Sequence, residues 1–156
     1  MKKVLLVTSI LAICLITLSG CLNSKSSNKK YYDYYLIHSG YIGEMYQNED
    51  ASIIISSEDE LNEYIDKYGK EALKSKLEKY DKNFFKKKSL ALHYIELSSG
   101  SIKVTPIEPT VNGSIVVMNY KEHYPEIGTC DMNGYVFVVE VDKGVEKIIS
   151  NPMIEY

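Results

Sequence analysis

Arginine is absent. All 18 basic residues of this 156-residue chain are lysines, set against 21 acids for a formal net charge of −3. Without the guanidinium fork the chain lacks bidentate phosphate recognition. Its acidic balance does not suit a nucleic-acid binder. Cysteine is scarce, at Cys14, Cys21 and Cys130, and so is histidine, at His38, His93 and His123. None of these stands at zinc-site spacing, and no acid-rich calcium loop occurs, so neither a metal nor a cofactor is expected. A phosphate-binding glycine motif and a nucleophile elbow are also missing. The length allows one ordinary domain and excludes a large multidomain enzyme. At 45% hydrophobic residues the chain is too apolar for disorder.

What is present begins at the N-terminus. Met1, Lys2 and Lys3 make a positive start, and residues 4–18 (VLLVTSILAICLITL) carry no charge. A helix of that length rises about 22 Å, short of the roughly 30 Å hydrocarbon core of a bilayer. The run matches the apolar middle of a secretory signal peptide. Leu18-Ser19-Gly20-Cys21 then resembles the lipobox of bacterial lipoproteins. The resemblance implies cleavage between Gly20 and Cys21 and lipidation of the Cys21 sulfur. Residues 1–20 are then the signal, and Cys21 carries a diacylglycerol with palmitate among its expected acyl groups. Two acyl chains hold a protein on a membrane where one is marginal, at about 0.8 kcal/mol per buried CH₂. The expected partner is therefore the cell membrane, with the domain facing outward.

Removing the signal leaves 16 lysines against 21 acids, a net of −5. Cys14 departs with the signal and Cys21 is lipidated, so Cys130 alone stays free and no intramolecular disulfide is expected. Residues 22–30 (LNSKSSNKK) are polar and aperiodic, so that 21–30 reads as a lipidated flexible tether. Nine such residues span roughly 15–18 Å. An unstructured terminus with no spacer role would leave the same residues.

Residues 31–156 read as one small α+β domain. The tyrosine-rich stretch 31–46 suits one or two short strands, with a turn at 48–50 and a β-branched strand at 51–55. Ser57-Glu58-Asp59-Glu60 fits a capping box. Leu61, Tyr64, Ile65 and Tyr68 follow at i, i+3, i+4 and i+7, one apolar helix face, and Gly69 suits the stop. A second helical piece spans about 70–80, with Leu73, Leu77 and Tyr80 on one side. The remainder reads as an antiparallel meander packed with these one or two helices. Its strands are 89–97, 102–111, 114–120, 135–141 and 145–149. Pro106 and Pro109 push the second of these to a sheet edge. Asn112-Gly113 signals a type I′ hairpin, 121–134 a long irregular loop, and 135–141 (YVFVVEV) the central strand.

One run extends beyond these local signals. It comprises Tyr80-Asp81, Asn83-Phe84-Phe85 and the strand 89–97. Ser98-Ser99-Gly100-Ser101-Ile102 follows. Pro125-Glu126-Ile127-Gly128-Thr129-Cys130-Asp131-Met132 then precedes a hydrophobic strand. Together they resemble the PrcB-like lipoproteins, relatives of the C-terminal domain of a protease complex subunit, common in anaerobic Gram-positive bacteria. The resemblance covers about residues 52–141. It implies a small extracytoplasmic α+β domain without known catalytic residues, and a role in stabilising or assembling a surface protease.

Few residues offer chemistry. Cys130 with His123, seven residues earlier, and the adjacent Asp131 could lower the thiol pKa and make a nucleophile. Thiol enzymes also need an orienting group and an oxyanion site, and a free cysteine is more often packed and inert. His93 is expected as a surface or hydrogen-bonded side chain facing away from Leu92 and Tyr94. Lys86-Lys87-Lys88 could touch anionic lipid or wall polymer, but reads more readily as a solvated turn before a strand. Tyr34 and Tyr35, within the tyrosine-rich start, could stack on a sugar or simply pack in a strand. The leading expectation is a membrane-anchored, non-catalytic binding or accessory module. A cell-wall glycan or small-ligand binder is the first alternative. A thiol-dependent enzyme or redox protein using Cys130 is the second.

Overall fold

The computed structural model describes residues 32–46 and 51–156. The signal, Gly20, Cys21, the tether and the turn expected at 48–50 lie outside them. The described residues form strands β1 (Tyr34–His38), β2 (Ser52–Ile55), β3 (Lys88–Leu97), β4 (Lys103–Asn112), β5 (Ile115–His123), β6 (Asn133–Asp142) and β7 (Lys147–Glu155). The helices are α1 (Gly43–Tyr46), α2 (Glu58–Tyr68), α3 (Glu71–Leu77) and α4 (Lys82–Phe85). The α+β class stands.

The strands form two sheets rather than one meander. The first has order β1-β6-β3-β2, antiparallel throughout; the second has order β4-β5-β7, with β5 and β7 parallel. Helices, first sheet and second sheet make three layers. Alternation along β3 and β6 supplies both cores. Leu90, Leu92, Tyr94, Val136 and Val138 face the helices. Ala91, Ile95, Leu97, Phe137, Val139 and Val141 face the second sheet, against Val116, Met118 and Tyr120 of β5. Strands buried on both faces read as near-continuous apolar runs, which is how β3 and β6 appear in the sequence.

The helix signals hold in detail. The Ser57 hydroxyl accepts the Glu60 N–H at 3.2 Å, and Glu60 reaches back, although to the Ser56 N–H at 2.7 Å. Leu61, Tyr64, Ile65 and Tyr68 are buried, and Gly69 ends α2 in the left-handed region. The second helical piece is shorter than expected. It stops at Leu77, and Asp81 caps a separate turn, α4, through the Asn83 and Phe84 N–H groups.

Residues 32–46 give one strand, within the one or two expected, followed by the short α1. Two other expectations are corrected. The β4–β5 turn is Gly113-Ser114, because Asn112 pairs with Ile115. Gly113 has φ +59° and no described non-glycine residue has positive φ, which is type II′ geometry with glycine at its first central position. β5 runs on to His123 because β7 supplies a second pairing partner, so the loop starts later than expected.

Pro106 on β4 and Pro152 on β7 both stand opposite Tyr120 of β5. On β7, Lys147 N–H bonds to Ser114 and the Glu155 carbonyl accepts from Tyr124. Alternation then turns the Pro152 nitrogen toward the free edge, as Pro106 does on the other side. Each edge of the second sheet thus lacks a donor at its middle.

The two ends of the domain differ. At the near end the described chain begins, with the Asp33 carbonyl accepting from Glu140 N–H beside the start of β3. At the far end β3 finishes, β6 begins, and residues 98–102 and 124–132 connect the two sheets.

Candidate functional site

The far-end connections are built around one hydroxyl. Ser99 is 7% exposed, and its Oγ accepts the N–H of Thr129 at 2.9 Å and of Ser101 at 3.3 Å. The Ser101 and Thr129 hydroxyls lie 2.8 and 3.0 Å from it. Asp131 adds a second tie, its Oδ1 accepting the Gly100 N–H at 3.1 Å. A Cβ on Gly100 would stand 2.3 Å from the Asp131 carboxylate, so glycine is what lets the acid close. Hydrogen bonds from the Thr129 side chain and the Gly100 N–H hold the Asp131 carboxyl below its ordinary range. Two sequence segments, 98–101 and 128–131, thereby become one latched unit.

That latch displays apolar side chains outward. Ile127 is 87% exposed, and Met132 and the Cys130 thiol are also exposed. Cys130 lies in the loop before β6, as expected, but on its surface rather than packed and buried.

His123 is not joined to Cys130. Its Nε2 lies 3.1 Å from the Thr105 hydroxyl, and its Nδ1 is 3.0 Å from Glu155. Lys121 bonds the other Glu155 oxygen, and that ammonium, with His123 adding to it, holds the carboxyl below its usual value. Both imidazole nitrogens are engaged on the outer face of the second sheet, so the sequence-adjacent pair is not assembled as a nucleophile and base.

Tyr34 and Tyr35 point to opposite faces of β1. Tyr34 packs on Phe137 between the sheets. Tyr35 meets the Tyr80 hydroxyl at 3.2 Å under the helices, with Lys79 over its ring. They do not form one stacking surface. His93 faces away from Leu92 and Tyr94, as expected, but onto the second sheet near Tyr120. Its Nδ1 lies 2.8 Å from the Ser52 hydroxyl, and burial lowers its pKa. Lys88 leaves the expected solvated turn to pair with Glu140 at 2.9 Å.

Among the described residues no group of three His, Cys, Asp or Glu side chains could hold a metal ion, and no helix is long and apolar enough to cross a membrane. Two shallow hollows flank α2, of about 210 and 180 Å³. Both are below the roughly 300 Å³ at which small-molecule sites begin. The signal that could have located the latch is the pair of Ser/Gly and Gly/Thr/Asp clusters, each flanking a strongly apolar strand. Comparison with known proteins found no matching family model, curated protein or solved structure.

Proposed function

We propose that this chain is a lipid-anchored, extracytoplasmic protein that acts as a non-catalytic binding or accessory module, with a surface protease complex as the favoured partner. Cys21 carries the anchor, after a charged start and an apolar run that suit a cleaved leader. The observation that carries the binding role is the far-end latch. It spends its polar groups on each other and presents Ile127 to solvent on a fixed scaffold. Rigid display of apolar side chains suits protein docking, where complementarity depends on preorganised anchors. The alternative thiol chemistry finds less support, because His123 is committed to Thr105 and Glu155.

The protease assignment rests on the resemblance in residues 52–141 and is tested directly. Affinity capture of the anchored protein from its own cell surface is paired with a deletion strain. Recovery of a protease above background, with reduced surface proteolysis in the deletion strain, is the expected result. Recovery of none, with normal proteolysis, overturns it.

A further inference from the structure

We infer that the far end of the domain is a protein-docking surface suited to a partner with an apolar patch rimmed by lysine or arginine. The inference rests on the anchored-module reading above and names the surface that module uses.

Exposed apolar side chains are not spread evenly. Among the described residues seven large ones are exposed. Six of them, Tyr41, Ile127, Met132, Met153, Ile154 and Tyr156, gather at the far end. Tyr41 follows β1, where Ser39 N–H bonds to the Gly134 carbonyl at the start of β6. Ile127 and Met132 lie on the loop that leads into β6. Met153 and Ile154 stand near the end of β7, Tyr156 follows it, and Tyr124, just past β5, packs against Tyr156. Single exposed apolar residues are ordinary, but a concentration at one end marks an interaction site.

The described chain enters at the near end, where Asp33 bonds to Glu140. β6 runs ten residues from there to the far end, roughly 30 Å at about 3.4 Å per residue. The far end is thus about one strand length from where the described chain begins. Charge sets the rim. At this end Lys103 and Lys121 stand against the acids Glu122, Glu126, Asp131 and Glu155, so the balance is acidic. Asp131 is held ionised by its hydrogen bonds. An acidic rim around apolar anchors favours a basic-rimmed partner and disfavours a second copy of the same acidic surface.

The test places a photoreactive amino acid at position 127, 132 or 87 of the full-length chain in its native cells. Adducts to another protein from 127 and 132, at least about ten times the yield from 87, are expected, with a contact peptide rich in apolar residues and lysine or arginine. Ile127→Asp should cut the yield from 132 by about ten-fold, with the melting curve unchanged because Ile127 is exposed. Equal yields at all three positions overturn the inference. So do an acidic contact peptide, an adduct at twice the chain mass, adducts only to lipid or glycan, or no adduct. Fractionation of the same cells reads the anchor separately. Protein adducts on an unanchored chain uphold the surface and overturn the anchor. An anchored chain without them overturns the surface alone.

Discussion

The Ser99 hydroxyl accepts the Thr129 N–H across 2.9 Å, which ties the connection after β3 to the connection before β6. Ser99→Ala leaves that amide only its 3.1 Å bond to the Ser101 hydroxyl and removes the side-chain acceptor of the Ser101 N–H. The expected loss is roughly 0.5–1.5 kcal/mol. Hydrogen exchange should speed up at Thr129 while the amides of β3 and β6 stay protected. Unchanged exchange at Thr129 would show that the loop is held by something else.

Tyr80 anchors the helical layer to the first sheet. Its hydroxyl donates to Glu140 Oε1 at 3.1 Å, and Lys88 donates to Oε2 at 2.9 Å. Burial, with the Tyr35 hydroxyl beside it, pushes the Tyr80 phenol well above its ordinary value of 10.0. Tyr80→Phe should lower stability in urea by about 1–3 kcal/mol, since Glu140 loses a donor. It should leave the part of the phenolate absorbance titration near pH 10 unaltered, because Tyr80 does not ionise there.

Stability should decline in mild acid through His93. Burial lowers its pKa from 6.5 in the folded state. Below about pH 6.5 the unfolded chain therefore binds a proton that the folded chain refuses, and stability falls as pH falls. The groups around the imidazole are the Ala51 backbone, whose hydrogen bond raises the pKa less than burial lowers it, the Ser52 hydroxyl, and Tyr120, whose phenol is pushed up to about 12 and stays neutral in this window. The lowered carboxyls of Asp81, Asp131 and Glu155 act in a separate window. Their contribution is present above their unfolded values of 3.8 to 4.5 and is lost at lower pH. His93→Gln should flatten the urea midpoint between pH 7 and 5 and leave the steeper acid limb in place.

Pro152 guards an edge. Replacing it with valine supplies an outward N–H in the middle of β7, beside exposed Ile149 and Met153. Unblocked edges pair with other chains. Sedimentation should show concentration-dependent self-association of Pro152→Val that the parent lacks. A monomeric variant at all concentrations would mean that the proline is not what protects the edge.

Much of the fold was legible because its signals are local. The Ser57 cap and the 61/64/65/68 face depend on residues within two helical turns, and both stand in α2. Pro106 marked an edge strand because the reason is a missing donor on that residue. Pairing partners are not local. Nothing in the 145–149 run announced that β7 would pair in parallel with β5, and that pairing carried both strands past their expected ends. The clue to two sheets lay in β3 and β6, whose apolar residues fall on both faces. At the site, the Cys130–His123 spacing suggested proximity along the chain. It could not show that β5 would turn His123 toward Thr105 and Glu155. The two clusters of the Ser99 latch stood in the sequence, but their union did not, since its halves are 28 to 31 residues apart.

The account depends most on Cys21. Intact-mass spectrometry of the protein recovered from fractionated cells tests it directly. The predicted species begins at Cys21, carries a diacylglycerol thioether and is found in the membrane fraction; Cys21→Ala releases the cleaved chain into the medium. A cytosolic chain that keeps residues 1–20 and bears no acyl group would contradict it.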